Sequence, residues 1–330
     1  MTNFNSEKRL GEFELIAKFF APLSRGAPGA YGLTDDAATI APPPGEELVV
    51  TTDLLTAGVH FRADDPADRI ARKALRVNLS DLAAKGACPH GYFVSLALPR
   101  QTTAIWLEAF ADGLAHDQSE FAVTLFGGDT TATDGPLTIS VTAFGSLPVG
   151  TMIRRNGAKP GDLVFVSGSI GDSGAGLAVL KGGGGKGMHA ETLIYRYQIP
   201  SPRISLGTAL RGVAHASLDI SDGLIADLGH IADNSRVRII VDADKVPISS
   251  ALEDMRGLSQ DAIVRAVTAG DDYEIAFTVS PSARDVVARI AGETNTPVTE
   301  IGRVAEGGGA VLLNSSGAEI PVSRQGYEHF

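Results

Sequence analysis

The sequence predicts an α/β protein of two domains. Three observations carry that prediction. At 330 residues the chain exceeds what one ordinary core holds. Apolar residues make up 44% of it with only 6% aromatic, which suits an interior packed by alanine, valine and leucine. β-rich runs also alternate with stretches of helical period along the whole chain. A seam is expected at Val149-Gly150, because a new series of turns and strands begins at Gly157-Ala158-Lys159-Pro160-Gly161-Asp162. The expected domains are therefore residues 1–149 and 150–330.

Residues 11–20 predict a short amphipathic helix, with Phe13, Ile16, Ala17 and Phe20 on one face. A Gly- and Pro-rich loop leads to Asp35-Asp36, and Pro42-Pro43-Pro44-Gly45 reads as a turn. Leu48–Thr52 is a β-rich run expected to end on Asp53. Asp65, Pro66 and Asp68 carry helix-start chemistry, and Ile70, Ala74, Val77 and Asp81 then fall on one stripe, closed by Gly86. A second helix is expected from Thr103 to about His116, followed by a strand at Ala122–Phe126 entering Gly127-Gly128-Asp129 and another at Leu137–Phe144. The later half predicts strands at Leu163–Ser167, Ser217–Ile220, Ile239–Asp242 and Ile275–Val279. Helices should follow Asp172 and begin at about Asp222.

A net charge of −11 argues against a broad nucleic-acid surface, which needs clustered Lys and Arg. No run approaches the roughly 20 apolar residues that span a bilayer. Met1-Thr2-Asn3-Phe4-Asn5 has no signal-peptide core, and Cys88, the single cysteine, excludes an intrachain disulfide. A cytoplasmic protein is expected.

The chemistry concentrates in carboxylates beside glycines or at the expected ends of strands. They are Asp35-Asp36, Thr51-Thr52-Asp53, Gly127-Gly128-Asp129-Thr130, Asp219-Ile220-Ser221-Asp222-Gly223 and Gly270-Asp271-Asp272. Asp81 adds another from the inward stripe of its helix, where a carboxylate needs a partner unless it faces solvent at a frayed end. Gathering such anions is repulsive unless cations hold them. An all-oxygen donor set favours hard ions, and Mg²⁺ combines a few carboxylates with substrate phosphates. A magnesium–polyphosphate site is the expectation.

Other segments stay open between chemistry and structure. Ser221 can cap a helix whose first N–H groups receive a phosphate, or the aspartates around it can serve only the dipole. Arg154-Arg155 reads either as a phosphate contact or as a solvated turn. His60 and Cys88 read more simply as structural. Gly168-x-x-Gly171-x-x-Gly174-x-Gly176 departs from the dinucleotide fingerprint and reads as tight-turn packing. Lys181 through Gly187 lacks the Ser or Thr of a P-loop and reads as a surface loop. No Ser–His–acid arrangement is evident.

In order, these motifs resemble those of the thiamine-monophosphate kinase family, within the superfamily of aminoimidazole ribonucleotide synthetase and selenophosphate synthetase. The resemblance runs from Gly11-Glu12-Phe13-Glu14-Leu15-Ile16 through the aspartate clusters, Gly58-Val59-His60-Phe61 and Asn78-Leu79-Ser80-Asp81 to Gly326-Tyr327-Glu328-His329-Phe330. It implies two α/β domains with N-terminal strands pairing across a homodimer, and ATP-dependent phosphorylation of thiamine phosphate to thiamine diphosphate. It implies several Mg²⁺ ions around Asp36, Thr51, Thr52, Asp53, Asp81, Asp129, Asp219 and Asp222, of which Asp53, Asp129 and Asp222 are assigned to catalysis. Gly128, Arg155 and Ser221 would contact ATP. His60, Tyr327 and Asp272, with Asp271 as its alternative, would face thiamine phosphate. Some relatives carry a tyrosine against the nucleotide near Phe110, which leaves the adenine-side contact open. A selenophosphate synthetase should carry a reactive cysteine near its start, and aminoimidazole ribonucleotide synthetase fits Thr51-Thr52-Asp53 less well. A non-catalytic ion binder would explain the carboxylates but not their placement at glycine turns and helix starts.

Overall fold

The computed structural model describes residues 11–322 and Gly326. The chain forms two compact units. The first runs up to Pro43 and adds Val50–Asn78 and Pro89–Gly145. The second takes in Pro44–Val49, Leu79–Cys88 and the chain from Ser146 onward.

The opening segment is helical in two pieces, α1 (Glu12–Leu15) and a π-turn at Ile16–Phe20 that buries Phe19 and Phe20. The strands β1 (Glu46–Thr56), β2 (Cys88–Pro99), β3 (Thr124–Thr133) and β4 (Thr138–Pro148) form a sheet in the order β1-β4-β2-β3. β2 and β3 are parallel, and a bulge between Tyr92 and Phe93 leaves Phe126 as the extra residue. The long helices are α2 (Ala67–Ala84) and α3 (Ala104–Phe121). The predicted stripe of α2 is inward, with Ile70, Ala74 and Val77 all buried. Thr103 caps α3 by accepting the Trp106 N–H at 3.2 Å. α3 runs beyond His116 to Phe121 and stops where Ala122 adopts φ 54. Within the first unit Asp117 of α3 is fully buried and accepts from Arg72 Nε (2.9 Å) and Arg76 Nε (2.7 Å) of α2.

Two strand-end expectations fail. β1 continues past Asp53 to Thr56, and β3 continues past Asp129 to Thr133, so both aspartates lie inside strands. Gly128 is not a terminator. A Cβ there would stand 1.8 Å from the Val94 carbonyl of β2, so glycine permits close strand pairing.

The second unit holds β5 (Leu163–Ser167), α4 (Asp172–Leu180), α5 (Met188–Gln198), α6 (Ile204–Ala209), β6 (Ala216–Asp219) and α7 (Leu224–Ser235). It continues with β7 (Arg238–Asp242), α8 (Ser250–Arg256), α9 (Gln260–Thr268), β8 (Ile275–Val279), α10 (Arg284–Glu293), β9 (Val298–Ala305), β10 (Ala310–Leu313) and β11 (Glu319–Ile320). Its seven strands are ordered β11-β10-β7-β9-β5-β8-β6, and β7–β10 is a parallel pair among antiparallel neighbours. The strand period of two separates its two cores. Val164, Val166 and Ala276 pack with Leu224, Leu228 and Ile231 of α7. Phe165, Ile275, Phe277 and Val279 pack with Leu206, Leu210, Val287 and Ile290. A sheet covered on both faces explains why β5 and β8 read as continuous apolar runs.

Candidate functional site

In the first unit Asp36, Gly128 and Asp129 line one cavity of about 820 Å³, together with Phe20, Phe93 and Phe126. Asp129 is exposed, and its Oδ1 accepts the Thr130 N–H at 2.8 Å. Asp35 Oδ1 accepts the Asp36 N–H at 2.8 Å, which leaves the Asp36 carboxylate exposed. On β1, alternation puts Thr51, Asp53 and the buried Leu55 on one face and the exposed Thr52 and Leu54 on the other. The Thr52 hydroxyl lies 3.0 Å from that of Thr142 and donates to Val141 O at 3.2 Å. His60 Nδ1 accepts the Thr56 N–H at 3.0 Å, which puts the ring hydrogen of a neutral imidazole on Nε2.

In the second unit Asp81, from the end of α2, stands near Asp219 at the end of β6. Burial raises the Asp219 carboxyl well above the usual range, and the neighbouring Asp81 charge adds to the rise. Lys85, one helical turn after Asp81, donates from Nζ to Ser217 O at 2.7 Å. Burial pulls this lysine down to about 8 against the opposing attraction of Asp219, and the charge of Arg155 pushes the same way as burial. A carboxylate pair, an internal lysine and an arginine thus share one corner, a set that accepts both a cation and an anionic ligand. Lys85 went unassigned at the level of sequence. Its signal was a cation one turn beyond Asp81 on the same helix face.

The turn after β6 differs from expectation. Ser221 does not cap α7, which starts at Leu224 after Gly223 at φ 127 with no side-chain cap. Asp227 takes that place. Its Oδ2 accepts the N–H groups of Ser221 (3.0 Å), Asp222 (3.0 Å) and Gly223 (3.1 Å). The side chains of Ser221 and Asp222 remain half-buried.

The Gly270–Glu274 loop alternates direction, with non-glycine Asp271 at φ 69 and Tyr273 at φ 51. Asp272 turns inward and accepts the Gly171 N–H at 2.7 Å, at the start of α4. Asp271 is half-buried and accepts from the Tyr273 hydroxyl at 3.2 Å. The Gly168–Gly176 segment is thus packing, as expected: Gly171 begins a helix over a protein carboxylate. Burial holds the Asp272 carboxyl well above the ordinary range despite that hydrogen bond. A raised folded-state pKa contributes stability that is full below the unfolded value near 3.8 and is lost as pH rises through the folded value. Melting of Asp272→Asn beside the wild type in EDTA should therefore show the variant gaining on the wild type between pH 4 and pH 8. A gap that stays constant or narrows would contradict this.

Two clusters of potential metal ligands among the described residues were not expected, His116–Asp117–Glu120 and Asp222–Asp227–His230. The first is already neutralised by Arg72 and Arg76. Phe110 is fully buried and stacks on Trp106 at 5.2 Å, so it is a core residue. Arg155 is exposed. Tyr327 lies outside the described residues.

Comparison with known proteins bears on both units. The family described as AIR synthase related protein matches through its N-terminal domain at residues 34–147 and its C-terminal domain at 159–313. A thiamine-monophosphate kinase of Caulobacter vibrioides is 42% identical over 322 residues, covering 96% of this chain and 90% of the relative. The crystal structure of a thiamine-monophosphate kinase from Stenotrophomonas maltophilia has a TM-score of 0.83 at 43% identity, over 92% of this chain and 96% of that one. AaThiL complexed with AMPPCP and TMP matches with a TM-score of 0.76 at 32% identity, over 98% and 99%.

Proposed function

This chain belongs to the thiamine-monophosphate kinase family, and on that premise we propose that it transfers the γ-phosphoryl group of ATP directly to thiamine phosphate, giving thiamine diphosphate and ADP. The observation that carries the reading is the pair of carboxylate groups, Asp36 with Asp129 in one unit and Asp81 with Asp219 in the other. The AMPPCP and TMP bound by the AaThiL relative support the same two substrates. The selenophosphate synthetase alternative loses ground, because the near-full-length relatives at 34–42% identity are named thiamine-monophosphate kinases.

The donor set fits magnesium. It is all oxygen, and the Asp81 charge that adds to the burial-driven rise of Asp219 is what a divalent cation offsets. Asp36, Thr51, Thr52, Asp53 and Asp129 would hold Mg²⁺ on the first unit, and Asp81, Asp219 and Asp222 on the second. When bound, the ions supply charge cancellation between the two phosphates and orientation of the attacking and leaving oxygens. The chain needs no strong general base, because the acceptor phosphate is already ionised near neutral pH. One acceptor oxygen forms the new P–O bond as the bond to the ADP oxygen breaks. The residues assigned to ATP are Gly128, whose missing side chain leaves the backbone open, Ser221 and Arg155. His60 and Tyr327 are assigned to thiamine phosphate. At the loop, Asp271 fits that role better than Asp272, whose carboxylate is committed to α4.

A homodimer and a cytoplasmic setting complete the proposal. Exposed Val50 and Leu54, on one face of β1, supply apolar surface for a second copy, and no helix among the described residues is long and apolar enough to cross a membrane. Calorimetry tests the metal reading. ATP should bind at least tenfold more tightly with Mg²⁺ than in EDTA, and equal affinities would contradict it.

A further inference from the structure

The N-terminus of α7 is where a phosphate would be expected, because the first amides of a helix are its anion-binding groups. Here they are taken. Asp227 is 2% exposed, and one of its oxygens receives the N–H groups of three successive residues, Ser221, Asp222 and Gly223. The carboxylate thus sits inside the helix end in the position of an anionic ligand. Three N–H donors on one buried carboxyl oxygen hold the turn firmly from beneath.

The same turn is held from its side. Asp271 N–H donates to Ser221 O (2.8 Å), Tyr273 N–H to Ile220 O (2.8 Å) and Ile220 N–H to Glu274 O (2.9 Å). Gly270 permits that approach, since a Cβ there would stand 2.3 Å from Ser221 O. With its three amides and the Ile220, Ser221 and Gly223 carbonyls committed, the turn presents the side chains of Ser221 and Asp222.

We propose that Asp227 is a positioning residue for the phosphoryl-transfer reaction. It occupies the anion site of α7 and fixes the turn, so that the nucleotide is met by the Ser221 hydroxyl and the Asp222 carboxylate with its magnesium, never by the backbone amides. This rests on the kinase reading above. Asp227 commits Oδ2 to the three amides, and its effect passes through the two residues it presents.

Amide hydrogen exchange on the wild-type protein tests the idea without a variant. The Ser221, Asp222 and Gly223 amides should be protected in the ligand-free protein and change less than threefold when Mg·ATP is added. Rapid exchange that slows tenfold or more on adding Mg·ATP would make these amides the phosphate site and overturn the proposal. Kinetics of the near-isosteric Asp227→Asn variant provide the second arm, after thiamine diphosphate formation by the wild type has established the kinase reading separately. The KM for Mg·ATP should rise about tenfold while that for thiamine phosphate stays within twofold. A lower kcat with both KM values unchanged, or an equal rise in both, would reduce Asp227 to a purely structural residue.

Discussion

Replacing Asp129 by asparagine is expected to lower kcat by about two to three orders of magnitude, the range for loss of one group that stabilises charge in a transition state. The melting temperature should stay within about 1 °C of wild type, since an exposed substitution typically changes stability by less than about 0.5 kcal/mol. Asp129 is exposed, and its Oδ1 accepts locally from the Thr130 N–H at 2.8 Å. The asparagine carbonyl can accept that bond, so the strand keeps its conformation and only the negative charge disappears. Asp53→Asn should lower kcat similarly, because Asp53 is a half-buried residue inside β1, on the face it shares with Thr51. Steady-state kinetics at saturating Mg²⁺ and ATP, with thermal melts of the same preparations, provide the check. Wild-type turnover in both variants would remove the first unit's carboxylates from the mechanism. A large fall in melting temperature would make them structural.

The largest stability effect is expected at Glu274. This carboxylate is fully buried and accepts from Arg196 Nη2 at 2.8 Å, Arg203 Nε at 2.6 Å and the Ser167 hydroxyl at 2.5 Å. Its backbone carbonyl holds Ile220. Glu274→Ala would strand two largely buried guanidinium groups and the Ser167 hydroxyl. Breaking a buried ion pair from one side costs about 3–5 kcal/mol. That corresponds to a fall in melting temperature of roughly 4–7 °C for a chain of 330 residues. Glu293→Ala is the control, since it removes an exposed i,i+4 partner of Arg289 and should cost less than about 0.5 kcal/mol. Similar melting temperatures for the two variants would contradict this account of the loop.

Glu274 and Asp227 show where reading the sequence stops. The helices, β5 and β8 were legible because their apolar periods repeat the geometry of their elements. The aspartate clusters were legible because runs of carboxylate beside glycine are costly without a counter-charge. Asp53 was placed at a strand end although the apolar Leu54-Leu55 carries β1 on to Thr56, and Asp129 because glycine beside it signals a turn. Gly128 instead serves a carbonyl of the neighbouring strand, a tertiary reason that no local pattern carries. Asp227 resembled an ordinary first-turn acid of α7, and its three bonds depend on the path of the preceding turn. Asp272 and Asp271 are adjacent in sequence, and only the left-handed backbone at Asp271 and Tyr273 separates the inward from the outward carboxylate.

The central claim is direct, magnesium-dependent transfer between two phosphates by these carboxylates. Incubation of the wild-type protein with γ-³²P-labelled ATP, thiamine phosphate and Mg²⁺, followed by chromatography, tests it most directly. The account predicts label in thiamine diphosphate, none retained on the protein, and no product in EDTA. Absence of labelled thiamine diphosphate with Mg²⁺ present, or undiminished product in EDTA, would contradict it.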